Sequence, residues 1–373
     1  MKIDNLLVKP AGPDCNLRCD YCFYLKKKDD LYPGKNRMSL EVAESMISQL
    51  MGLENQVTFS WQGGEPTLMG LDFFKEVIDL QKKHGIGGQS VSNTLQTNGV
   101  LLDEEWARFL YRYNFLVGLS LDGPKNFHNA YRTYPDGSGT WGHVMETAEV
   151  LEDNLVPFNI LCVLNDRTVE EPERILDFFL SKGFENLQFI PAVEAVGDGA
   201  SRKIAPFTPD PLKFGKFLDV IFKKWSEEFP PRFSVRYFDA LIGRKLGQDT
   251  GFCRIGDTCG DYLVIEHNGD VYPCDFFVES EWKLGNLKED SIERIEKKDK
   301  FKYFSEGKRN LSKDCKNCGV WELCHGGCQR YRGLPTGPEG RTYLCEAYKY
   351  FLSKNLGKIE KMAEKFSKMR GGL

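Results

Sequence analysis

The sequence predicts an α/β fold, a partial (β/α)6 barrel of TIM type followed by a cysteine-rich second part, and three observations predict it. Six short apolar, β-branched runs alternate with stretches of helical periodicity over roughly the first 200 residues. Glycine-, proline- and asparagine-containing motifs follow the runs and precede the helices. After residue 250 the pattern changes, and eight of the twelve cysteines fall there. Strands joined through helices must run parallel, and six units in place of eight leave a barrel incomplete.

The strands are expected at "NLLVKP", "QVTFSWQ", "SVSNTLQTN", "FLVGLSL", "FNILCVL" and "NLQFIP". Helices are expected at about 39–52, 71–84, 103–113, 140–153 and 169–182. "DEEWARFLYRY" has the clearest start, with Asp103 as N-cap and acids in the first turn. The segment 195–211, rich in glycine and proline, reads equally as a wall of a substrate cleft and as a plain linker. At the C-terminal end, Phe351, Leu352, Leu356, Ile359, Met362 and Phe366 recur at helical spacing, which predicts a helix capping the barrel rather than lying on a membrane. The expected division is 1–225 for the barrel, 226–250 for a bridge, 251–348 for the cysteine-rich domain and 349–373 for the last helix.

Composition narrows the function classes. The 373 residues are 41% hydrophobic, enough for one large core and a smaller one. With 50 basic against 54 acidic side chains the net charge is −4, which argues against a nucleic-acid partner. "MKIDNLLVKPAG" has no apolar stretch of signal-peptide length, and no window approaches the ~20 apolar residues of a membrane span. A cytoplasmic protein is expected, and in that reducing compartment twelve cysteines point to iron–sulfur or zinc chemistry rather than disulfides.

"CNLRCDYC" places Cys15, Cys19 and Cys22 after the first strand, with three and then two residues between them. No other cysteine lies in the first hundred residues, so three thiolates leave a coordination position open. Gly63-Gly64-Glu65-Pro66 follows the second strand, Thr97-Asn98-Gly99 the third and Ser120-Leu121-Asp122-Gly123-Pro124 the fourth. Each alone is compatible with a tight turn. Four in succession gather at the carboxyl end of a parallel sheet, where a β/α active site lies. Gly63 and Gly64 permit close backbone approach to a ligand, the Glu65 carboxylate can accept from an ammonium, and Ser120 and Arg132 can bind a carboxylate.

Taken together, CxxxCxxC after the first strand, GGEP after the second and six β/α units resemble the radical S-adenosylmethionine superfamily. The resemblance implies a [4Fe–4S] cluster on Cys15, Cys19 and Cys22. It also implies S-adenosylmethionine bound by Tyr21, Gln62, Gly63, Gly64, Glu65, Ser120, Arg132 and Val193, and a 5′-deoxyadenosyl radical that abstracts hydrogen. Tyr21, Phe23 and Tyr24 surround the third cysteine as aromatic residues do in that family.

Cys253, Cys259, Cys274, Cys315, Cys318, Cys324, Cys328 and Cys345 are enough for two complete four-cysteine sites, and two structural zincs remain an alternative on spacing alone. The C-x9-G-x4-C spacing from Cys259 through Gly269 to Cys274, then C-x2-C-x5-C-x3-C from Cys315 and finally Cys345, resembles the SPASM extension of peptide-modifying radical enzymes. By that resemblance Cys253, Cys259, Cys274 and Cys328 hold one auxiliary [4Fe–4S] cluster, and Cys315, Cys318, Cys324 and Cys345 the other, three clusters in all. Cys162, in "FNILCVL", reads as a small buried hydrophobe.

"WQGGEPTLMGLDFF", "LQTNG", "VRYFDALI" and "VYPCDFFV" resemble segments of the anaerobic sulfatase-maturating enzymes, over nearly the whole chain. That resemblance implies oxidation of a cysteine or serine in a partner sulfatase to Cα-formylglycine, with flavodoxin or ferredoxin as electron donor. Peptide-crosslinking relatives commonly carry a leader-binding domain, for which the fourteen residues before Cys15 leave no room. The oxidation removes one hydrogen atom, one proton and one electron, and Asp275, directly after Cys274, is by resemblance the proton acceptor. Gln62 and Tyr24 are the candidates for positioning the peptide. Two other readings stay open: radical thioether or carbon–carbon crosslinking on the same scaffold, and a non-enzymatic zinc or electron-transfer module.

Overall fold

The computed structural model describes residues 3–197, 201–335, 337 and 340–371, so residues 198–200 of the segment 195–211 lie outside the described residues. All six expected strands form: β1 (Asn5–Lys9), β2 (Gln56–Trp61), β3 (Ser90–Thr97), β4 (Leu116–Ser120), β5 (Phe158–Leu164) and β6 (Asn186–Pro191). The chain divides into two compact units. One contains the chain up to Leu121, His128–Asn159 and Gly260–Ser305; the other contains Asp122–Phe127, Ile160–Cys259 and the chain from Glu306 onward.

In the first unit β1, β2, β3 and β4 pair in parallel and in chain order. Alternation sets their faces: β2 turns Val57, Phe59 and Trp61 into the core while the residues between them stay partly open. On its other side β1 takes Leu263–Glu266 as a parallel neighbour, with Lys9 opposite Glu266. Asp270–Tyr272 and Gly285–Asn286 continue antiparallel, so this sheet is mixed. The crossover helices start where capping residues dictate. The Ser39 hydroxyl accepts from the Val42 amide ahead of Leu40–Leu53, and the Asp103 carboxylate accepts from the Trp106 amide at 3.0 Å ahead of Glu104–Arg112.

In the second unit β5, from Ile160, pairs in parallel with β6, and β6 with Ser234–Val235. Ala195–Val196 and Lys203–Ile204 form a separate antiparallel pair. The helix expected at 169–182 is Pro172–Ser181, preceded by a 3-10 turn at Thr168–Glu170. Proline disfavours α backbone in the residue before it, and Glu171 accordingly has φ −129°. Proline is itself well suited to the first helical position, which is where Pro172 sits.

The last helix, Cys345–Gly371, packs on Pro211–Trp225 and Arg236–Lys245 through Phe351, whose ring centre lies 5.5 Å from Phe222 and 5.7 Å from Phe238. Asn355 and Lys354 on its flank bond Asp219 at 2.8 and 2.6 Å. Among the described residues no helix is long and apolar enough to cross a membrane.

Candidate active site and cluster ligands

The loop after β1 carries the first three cysteines and is tied down by Asp14. Its carboxylate accepts from the Asn36 amide at 2.9 Å, Arg37 at 2.9 Å and Lys28 at 3.0 Å. Burial alone would raise this carboxyl, but these bonds outweigh it and bring its pKa from 3.8 to about 2. Cys15 Sγ lies 3.4 Å from the Leu17 amide and 3.7 Å from Asn98 Nδ2, both donors. Burial pushes the Cys15 thiol well up, and the charges of Glu65, Cys19 and Cys22 push it further. Three half-buried cysteines on one loop, whose thiolates would repel one another, favour binding a cationic iron core, which relieves that repulsion. Among the described residues no three Cys, His, Asp or Glu side chains form the tight shell of a single metal ion. A four-iron cluster spreads its thiolates over separate irons, so that shell is not what it requires.

Glu65 is fully buried at the start of the next loop. Its Oε1 accepts from the Thr67 amide (3.0 Å), Thr67 Oγ1 (2.7 Å) and Thr97 Oγ1 (2.8 Å), and its Oε2 from the Asn98 amide (2.8 Å). Burial raises its pKa despite these donors. Sequence alone treats Glu65 as a ligand contact; the structure shows that it also welds the GGEP and TNG loops together, leaving Oε2 a further acceptor position. The two glycines beside it make room for the protein itself. A Cβ on Gly64 (φ +47°) would stand 2.0 Å from the Asp14 carbonyl oxygen, and one on Gly63 (φ +89°) 2.5 Å from the Lys9 side chain.

Asp275 opens a 3-10 turn directly after Cys274. Gln62 Nε2 donates to its Oδ2 at 3.1 Å and the Tyr262 hydroxyl to its Oδ1 at 3.2 Å, while the same hydroxyl lies 3.5 Å from Cys274 Sγ. Tyr24 lies deep in this unit, with its hydroxyl bonded to the fully buried Glu266 carboxylate and Lys9 Nζ 3.8 Å above its ring. Burial, then the charge of Glu266, pushes the Tyr24 phenol well above its ordinary range. Such a phenol keeps its proton. Tyr21 is buried with its ring 5.5 Å from the Arg132 guanidinium, and Ser120 is buried at the end of β4. Val193 is buried after β6, in the second unit. Lys9, Tyr262 and Glu266 escape a reading of the sequence; the one available signal is the opposite charge closing two apolar runs, "NLLVK" and "LVIE".

In the second unit a cavity of about 350 Å³ is lined by Cys315, Cys318, Cys324 and Cys345. Burial pushes the Cys324 thiol up to about 11, and the charges of Cys345, Cys315 and Cys318 add to it. Four mutually repelling thiols on one cavity are a donor set that fits a closed four-iron cluster. Cys253 and Cys328 lie around Arg254: burial would lower its pKa, but the charges of Tyr331, Tyr348, Cys253 and Cys328 raise it. Cys259 belongs to the second unit with them, and Cys274 to the first. All twelve cysteines are free thiols, and Cys162 is fully buried on β5.

Comparison with known proteins agrees with this site chemistry. Residues 10–179 match the radical SAM superfamily and residues 253–319 match SPASM, an iron–sulfur cluster-binding domain. The chain is 36% identical over 370 residues to a cysteine-type anaerobic sulfatase-maturating enzyme of Clostridium novyi (strain NT), covering 98% of each. It is 36% identical to a serine-type anaerobic sulfatase-maturating enzyme of Bacteroides thetaiotaomicron, covering 93% of this chain and 88% of the relative. The solved structure of native anSMEcpe with bound AdoMet and Cp18Cys peptide superposes with a TM-score of 0.88 at 36% identity, covering 97% of this chain and 99% of the other. The chain belongs to the anaerobic sulfatase-maturating enzymes, radical SAM enzymes with a SPASM iron–sulfur domain.

Proposed function

We propose that this enzyme oxidises a cysteine or serine side chain in a sulfatase polypeptide to Cα-formylglycine. The observation that carries the reading is the Gln62–Asp275–Tyr262 arrangement, a carboxylate held by two neutral donors directly after a cysteine of the SPASM region. Relatives of both cysteine and serine type, and a relative solved with a peptide, support a peptide substrate. A flavodoxin- or ferredoxin-like protein is the proposed electron donor.

Cys15, Cys19 and Cys22 would hold the cluster that cleaves S-adenosylmethionine, with auxiliary clusters on Cys253, Cys259, Cys274 and Cys328 and on Cys315, Cys318, Cys324 and Cys345. When bound, these groups supply a carbon radical that takes the Cβ hydrogen and a sink for the second electron. The remaining particle is a proton, and Asp275 takes it from the substrate thiol or hydroxyl. Neutral donors on both Asp275 oxygens aim the carboxylate without cancelling its charge. Gln62 and Tyr24 are the residues proposed to position the peptide. A serine becomes the aldehyde directly; a cysteine becomes a thioaldehyde, which takes up water and releases hydrogen sulfide. Glu65 holds the two loops that would carry the cofactor, with Tyr21, Gly63, Gly64, Ser120, Arg132 and Val193 as the other proposed contacts.

Anaerobic incubation of reduced enzyme with cysteine- and serine-containing sulfatase-motif peptides, read by mass spectrometry, tests the function. Aldehyde formation on one or both is expected. A crosslinked product without aldehyde would overturn the assignment.

A further inference from the structure

Thr342 carries a buried hydroxyl with no hydrogen-bond partner among the described residues, and the Nε of neighbouring Arg341 is likewise buried and unpartnered. Both residues line the cavity of about 350 Å³ that also presents Cys315, Cys318, Cys324 and Cys345. Buried donors in native proteins are paired as a rule, so two orphans on one thiol-lined cavity point to an acceptor that belongs in it. Thr342 is fixed from several sides. Its carbonyl accepts from the Cys345 amide at 2.9 Å, and its backbone bridges Arg332. Its methyl group lies 3.1 Å from where a Cβ on Gly327 would stand. A β-branched side chain so confined has little freedom to find a partner elsewhere.

We propose that Thr342 Oγ1–H and Arg341 Nε–H donate to sulfur atoms of the iron–sulfur cluster held by those four cysteines and thereby raise its reduction potential. The inference rests on the ligand set proposed above. Reduction adds negative charge to a cluster, so a donor aimed at its sulfur stabilises the reduced form more than the oxidised one. The Arg341 charge acts in the same direction, and Asp314, 3.9 Å from its guanidinium, opposes it. Both side chains are therefore positioning and tuning residues for the electron-accepting step, with no part in binding substrate.

The test is a redox titration of the reconstituted full-length enzyme followed by electron paramagnetic resonance. Thr342→Val keeps the shape and removes the donor; Thr342→Ser keeps the donor. For Thr342→Val a tenfold shift of the one-electron equilibrium toward the oxidised cluster is expected, a potential lower by about 59 mV. Thr342→Ser should titrate like the parent. Arg341→Met, at a partly exposed position, supplies an independent lowering if the valine variant assembles poorly. Unchanged potentials in the assembled valine and methionine variants would overturn the proposal even if their stability fell, because a merely structural role moves stability alone. A Cys315→Ala/Cys318→Ala variant separates the two levels of inference. If it keeps the full iron content, the ligand assignment falls and the proposal with it. If it loses one cluster while Thr342→Val and Arg341→Met leave the potential unmoved, the assignment stands and the donor role falls.

Discussion

At Glu65, charge, burial and loop geometry meet in one side chain. Glu65→Gln keeps the shape but turns one acceptor oxygen into a donor facing Thr67, Thr97 or Asn98. Affinity for S-adenosylmethionine, read by calorimetry, should fall by about 1.5–3 kcal/mol with the clusters retained. Asp275→Asn keeps the size, turns one of the two acceptor oxygens that face Gln62 and Tyr262 into a donor, and cannot take the proton. That variant should still cleave S-adenosylmethionine while formylglycine yield drops ~100-fold, the range of a lost general base; full yield would show Asp275 to be a loop residue. Asp14 gives a pH signature. Its folded pKa of about 2 lies below the unfolded 3.8, so its stabilisation is complete above the unfolded value and is lost as pH falls from there through 2. Asp14→Asn should therefore cost about 2 kcal/mol in urea unfolding at neutral pH, the gap to the parent closing as pH falls below 4.

The elements answer to more local forces. Phe351 is fully buried where Cys345–Gly371 meets the rings of Phe222, Tyr237 and Phe238. Phe351→Ala leaves a cavity there and should cost about 3–5 kcal/mol, measured by urea unfolding. The helix also begins on Cys345, so loosening its seat is expected to reach the cavity that this cysteine lines. Strand and helix positions were legible because they depend on short-range periodicity: the alternation in "QVTFSWQ" and the Asp103 cap need only a few neighbouring residues. The start at Pro172 was legible too, had the constraint on its preceding residue outweighed the helical spacing that begins at 169.

For the whole molecule the cysteine sets make a quantitative claim. Three four-iron clusters place about twelve irons on the reconstituted chain, and replacing Cys15, Cys19 and Cys22 together by alanine should remove roughly a third of them, with all cleavage of S-adenosylmethionine. Zinc in place of iron at the later cysteines of an anaerobic preparation would contradict the assignment. Gly64→Ala probes the same assembly without replacing a cysteine. Its Cβ would collide with the Asp14 carbonyl oxygen at 2.0 Å, a backbone atom that cannot swing aside as a side chain does, and force the cysteine loop and the GGEP loop apart. Destabilisation of several kcal/mol, roughly the upper range for single substitutions, is expected together with incomplete loading of the first cluster.

By itself the sequence determined the alternation of strands and helices, the spacing of the thiols and the placement of motifs after strands, because backbone period and metal-ligand spacing are local properties. Only the tertiary structure decided which distant residues meet. Gln62 reaches Asp275, which Tyr262 also bonds, across some two hundred residues of chain, Lys9 faces Glu266 through a parallel strand pair, and Glu65 joins a loop that begins at Thr97. Nothing in the neighbourhood of Tyr262 or Thr342 marks either residue. Their surroundings arise from burial and strand register, in which every contact depends on many others at once, and a local pattern carries no record of that.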